Sequence, residues 1–90
     1  MDLDQIRKDI DQIDQELVAL LERRMVCVGQ IVEYKEQQSL PVLDQRRERE
    51  VLEKVGSLVT EEQYRATIQA QFQDMMKRSR DFQEEVRARG

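Results

Sequence analysis

The segment from Leu3 to Gln37 carries one helical period without a break. Ile6, Ile10, Ile13, Leu17 and Leu20 follow one another in alternating steps of four and three, which is the seam of a helix packed along its whole length. Such a helix of about 35 residues is roughly 52 Å long, well above the usual length in a globular domain. In a chain of 90 residues, the two shorter helices that can follow are unable to cover it. The stripe therefore predicts both a fold class and a need for company: an all-α chain of three helices with a long N-terminal helix, paired antiparallel with a second copy.

Charge interrupts the same stripe. The next position after Leu20 is Arg24, then come Cys27 and Ile31, and one further turn brings Lys35. A desolvated cation without a partner costs several kcal/mol, and no acid lies on this stripe to meet it. Arg24 and Lys35 are read as facing an anion supplied from outside the chain. A seam cation can also fix the register of a coiled coil, and the residues alone leave that alternative open.

Composition narrows the chemistry. The net charge is -4 and charged residues make up 38% of the chain, so the electrostatic footing of nucleic-acid binding is missing and an anion must be recruited locally. There is no His and only Cys27. That removes the usual zinc ligands, Cys/His nucleophile pairs and internal disulfides, and Cys27 reads as a small core residue. Three Gly, one Pro and two each of Phe and Tyr are too few turn formers and aromatics for a β-sandwich. The acidic start Met1-Asp2-Leu3-Asp4 resembles neither a signal nor a transit peptide, and no apolar run approaches the ~20 residues that span a bilayer. The expectation is a cytoplasmic protein, one domain over residues 1–90, with no membrane partner, metal or cofactor.

The remaining punctuation divides the chain. Asp2, with Gln5 three residues on, caps helix one, which runs to about Gln38. From Met25 onward Val26, Val28, Ile31 and Val32 widen its apolar surface as if it were sandwiched, and Gly29 offers close approach to a neighbour or ligand. Ser39-Leu40-Pro41 ends it. Asp44 caps a second helix ending near Gly56-Ser57, with Gly as the stop. That helix buries Val51, Leu52 and Val55, turns polar at Arg47 and Glu48 beside the loop, and solvates Arg46, Arg49, Glu50 and Glu53. Thr60 and Gln63 form a capping box for helix three. Its stripe reads Tyr64, Ile68, Phe72, Met75, Ser79, Phe82 and Val86, so Ser79 interrupts it, with Gln83 one turn further on.

Arg7 lies at the edge of the first stripe, roughly 25 Å from Arg24 along one axis. One small molecule cannot touch both from one helix, but in an antiparallel pair crossing near Leu17 the partner copy's Arg7 arrives beside Arg24.

Arg7, Leu20-Leu21-x-x-Arg24, Lys35, Pro41-Val42-x-Asp44, Arg47-Glu48, Ser79 and Gln83 together resemble the all-helical, AroQ-type chorismate mutases over essentially the whole chain. The resemblance implies an intertwined homodimer that rearranges chorismate to prephenate, on the way to phenylalanine and tyrosine, without cofactor. It implies that Arg24 and the partner copy's Arg7 clamp the two carboxylates with Arg47 and Ser79 assisting. Lys35 and Gln83 donate to the ether oxygen, and Glu48, with backbone near Asp44, holds the ring hydroxyl. Two other readings share the pattern. One is a non-catalytic helical dimer or regulatory module binding an aromatic-pathway metabolite; the other is an isochorismate-pyruvate lyase on the same scaffold, which Arg47-Glu48 and Gln83 disfavour.

Overall fold

A computed structural model describes all of residues 1–90. It holds three helices and no strand: α1 over Leu3–Gln37, α2 over Gln45–Leu58 and α3 over Glu62–Arg89. Asp2 caps α1 as expected, its carboxylate accepting from the amides of Asp4 and Gln5 at 3.0 and 3.4 Å. Gln5 does not return the bond; its amide reaches forward to Asp9 instead.

The end of α1 positions everything that follows. Ser39 takes a left-handed φ of 55°. Its amide donates to Glu36 O, and the next amide, Leu40, donates to Lys35 O at 2.8 Å. These two bonds close the helix in the turn usually built around Gly. The chain is thereby folded back on itself, so that Val42 O receives the Lys35 ammonium at 2.6 Å. Asp44 then caps α2 by accepting from Arg47 N at 3.0 Å.

Helices α2 and α3 form a hairpin held by polar rungs. Arg65 donates to Gly56 O and Val59 O, Gln69 donates to Leu52 O, and Arg80 grips Glu48 at the open end. Two expected helix ends differ here. Gly56 does not stop α2: it is buried inside the helix with an ordinary φ, because a Cβ there would strike the Gln69 amide that holds Leu52. The capping box at Thr60 does not form either. Thr60 lies in the connecting turn and Glu61 occupies the cap without a side-chain bond, while Arg65 ties the turn down from the other side.

The core is small. Only eight of 90 residues are buried, Val28, Val32, Val42, Val55 and Met76 being the apolar side chains among them. On α1 that burial is confined to the C-terminal half, which packs on α3. The sandwich expected from Met25 onward is one-sided: Val26 and Ile31 stay exposed, and nothing approaches the missing side chain of Gly29. The seam itself is bare, with Ile10, Ile13, Leu17 and Leu20 each about half exposed. The molecule measures 54 × 26 × 15 Å with a radius of gyration of 16.1 Å, whereas a compact chain of this length has about 12 Å. Its accessible surface of 7507 Å² compares with about 5,500 Å² for a compact monomer of this mass. No helix is long and apolar enough to cross a membrane.

Candidate active site

Between the C-terminal half of α1, the start of α2 and the middle of α3 lies a cavity of about 350 Å³. Arg24 and Lys35, on α1, are about three helical turns apart and so share one face. The folded-back loop supplies Val42 and Asp44, α2 supplies Arg47 and Glu48, and α3 supplies Ser79 and Gln83. Seven of the eight residues singled out in the sequence therefore border one space. The eighth, Arg7, does not: it is exposed on the uncovered half of α1.

The two stripe cations are held by neutral groups. The Arg24 guanidinium donates to Ser79 Oγ at 3.0 Å, and Ser79, buried, donates its own proton to Met75 O one turn back. Ser79 thus orients Arg24, and its one proton is already spent on the helix. Lys35 donates to Val42 O and, at 3.2 Å, to Gln83 Oε1. Neither cation takes part in an ion pair. An ammonium can only donate, so the Gln83 amide must turn its oxygen to Lys35, which leaves its NH₂ free toward the cavity.

Burial among these groups pushes the Lys35 ammonium below the usual lysine range, and the nearby Arg87 guanidinium adds to the effect. Asp44 and Glu48 oppose it, Asp44 more strongly. Asp44 is exposed, its carboxylate engaged as the α2 cap, and Arg47 is a rim residue reaching weakly to Glu50 at 3.9 Å.

Two departures concern residues at the edge. Cys27 is exposed beside the cavity and is not core, because the stripe it continues is the uncovered one. Arg80 also borders the cavity and grips the half-buried Glu48 carboxylate with one guanidinium nitrogen. Sequence reasoning passed over it within the run Lys77-Arg78-Ser79-Arg80-Asp81. The signal was the spacing Met76, Arg80, Gln83, four then three, which sets it on the inward face.

The donor set suits a small anion with more than one charge: Arg24 and Lys35, neither in an ion pair, border a pocket whose other walls include Val28, Ile31, Val51 and Met76. The family profile described as chorismate mutase type II matches residues 6–84. The chain belongs to that family. Over 54 residues, 60% of this chain, it is 41% identical to the bifunctional chorismate mutase/prephenate dehydratase of Aquifex aeolicus (strain VF5), of which it spans only 15%. No solved structure matches the chain. The all-helical fold expected of a type II chorismate mutase domain is the one found, three helices without a strand.

Proposed function

We propose that this type II chorismate mutase domain is an active isomerase that converts chorismate to prephenate. The observation that carries the reading is the state of Arg24 and Lys35: both border one cavity, both hydrogen-bond to uncharged acceptors only, and neither forms an ion pair. A dicarboxylate supplies the missing charge, and Arg meets a carboxylate with two parallel hydrogen bonds.

The rearrangement is intramolecular. One C–O bond of the ether breaks, one C–C bond forms, and no proton or electron leaves the substrate. A protein can accelerate it by holding the folded conformer and by stabilising negative charge that grows on the ether oxygen. Lys35 and the free NH₂ of Gln83 are the two donors placed for that oxygen. Arg24 takes one carboxylate, with Ser79 fixing its guanidinium and Arg47 assisting from the rim. Glu48 accepts from the ring hydroxyl, with backbone near Asp44 completing that end.

The second carboxylate calls for Arg7 of another copy. The uncovered seam supports an antiparallel homodimer: the surface in excess of a compact monomer is about 2,000 Å² per chain, enough for an obligate interface. Crossing near Leu17 brings the partner copy's Arg7 to Arg24 and yields two equivalent sites.

Purified protein incubated in parallel with chorismate and with isochorismate, with products identified, tests this. Prephenate from chorismate is the expected product. Release of pyruvate from isochorismate would make the domain a lyase, and binding without turnover of either would make it a regulatory module.

A further inference from the structure

A carboxylate in an anion site opposes the charge of its ligand, yet Glu48 stands at the cavity wall, three-quarters shielded from solvent. Around it face Arg80 from α3, Lys35 from α1, and Asp44 and Arg47 from its own end of α2. Of these only Arg80 bonds to it, and Arg80 is itself only 28% exposed, with its guanidinium nitrogen shared between both Glu48 oxygens. Arg80 has no other partner among the hydrogen bonds and ion pairs of the chain. Four cations and two acids border the cavity, an excess of two positive charges, equal to the charge of a dicarboxylate.

We propose that Arg80 is the positioning residue for Glu48, fixing its carboxylate at the wall and cancelling its charge so that a dianion can bind beside it. This rests on the mutase reading above and adds a residue to it. A free Glu48 would repel the incoming carboxylates, and its side chain could swing from the cavity. With Arg80 in place the carboxylate keeps lone pairs directed into the cavity for a hydroxyl donor. The contact so set up is made alike by substrate and transition state, so its loss falls on KM and spares kcat.

The test is a kinetic cycle on the full chain with chorismate. R80Q is expected to raise KM about tenfold, the weight of a charge-assisted hydrogen bond, with kcat within about threefold of wild type. In an E48Q background the same substitution should shift KM by less than about twofold, because the charge it served is gone. R80K, which keeps the charge, should return KM to within about threefold of wild type. An unchanged KM in R80Q, or an equal penalty with and without Glu48, overturns the proposal and leaves Arg80 a rung between α2 and α3. Should R80Q fail to fold, R80M, which also removes the charge but keeps the length of the side chain, measured with and without E48Q gives the same cycle. A wild-type protein that does not rearrange chorismate is a separate failure, that of the underlying reading, and is seen before any variant is made.

Discussion

The Lys35 ammonium donates to Gln83 Oε1 at 3.2 Å, and this one bond decides which end of the Gln83 amide faces the cavity. In the proposed reaction Lys35 is both a donor to the reacting oxygen and the group that aims the other donor. Lys35→Ala removes one function and randomises the second. Losing a single preorganised donor costs about 10² to 10³ in rate, and kcat of Lys35→Ala should fall at least that far. A variant within tenfold of wild type in steady-state turnover refutes the role.

Gln83 does not titrate, which predicts activity nearly flat from mildly acidic to mildly alkaline pH. The limit lies on the alkaline side. Burial, then Arg87, hold the Lys35 proton less tightly than in an ordinary lysine, so kcat/KM should begin to fall below the usual lysine pKa of about 10.4. A bound dianion favours the ammonium, so the limb in kcat should lie at higher pH than the limb in kcat/KM. Arg87→Gln removes a like charge and should move the kcat/KM limb upward, though not to the ordinary lysine value, since burial is the larger cause. For stability the sign is opposite to that of a paired lysine. Between the lowered folded pKa and the ordinary one, the unfolded chain holds the extra proton, so this group adds stability as pH rises through that window. pH–rate profiles and melts of both proteins check these directions.

The seam and the position of Arg7 predict complementation. Arg7→Ala and Arg24→Ala should each be nearly inactive alone. Mixed after denaturation and refolding, they form heterodimers in which one site carries both lesions and the other carries none. Half the dimers being mixed, about a quarter of wild-type activity should return. No recovery on mixing, or a folded monomer in sedimentation at working concentration, rules out a shared site.

Ser39 occupies a left-handed conformation that costs a residue with a Cβ about 1 kcal/mol. Ser39→Gly should therefore raise unfolding free energy, less the extra chain entropy of Gly, for a net gain below about 1 kcal/mol. Denaturant midpoints compare the two; a loss of stability shows that the Ser39 side chain contributes something the turn geometry does not.

The fold was legible because its strongest signals are local. The α1 stripe, the Asp2 and Asp44 caps and the break at Ser39-Leu40-Pro41 all lie where periodicity and capping rules place them. So were seven cavity residues: Arg24, Lys35 and Ser79 interrupt apolar stripes, Gln83 lies one turn beyond Ser79, Arg47 and Glu48 make the start of α2 polar, and Asp44 caps it. What escaped depends on contacts between distant segments. Gly56 looks like a stop, but Gln69 from α3 needs its bare face. Thr60 and Gln63 fit a capping box, yet Arg65 holds the turn by its carbonyls and Glu61 takes the cap. Arg80 was hidden by a charged neighbourhood, since only the position of Glu48 across the hairpin gives it a task.

Arg24 and Lys35 border the cavity without an ion pair, and the proposed function gives them a dicarboxylate to bind. Calorimetric titration of the wild-type domain with a stable dicarboxylate mimic of the bridged transition state measures this directly. The predicted result is one site per chain, with binding weakened about 100-fold or more in Arg24→Ala and in Lys35→Ala, as for a lost charge-assisted pair. Binding that is absent in wild type, or equally tight in both variants, contradicts it.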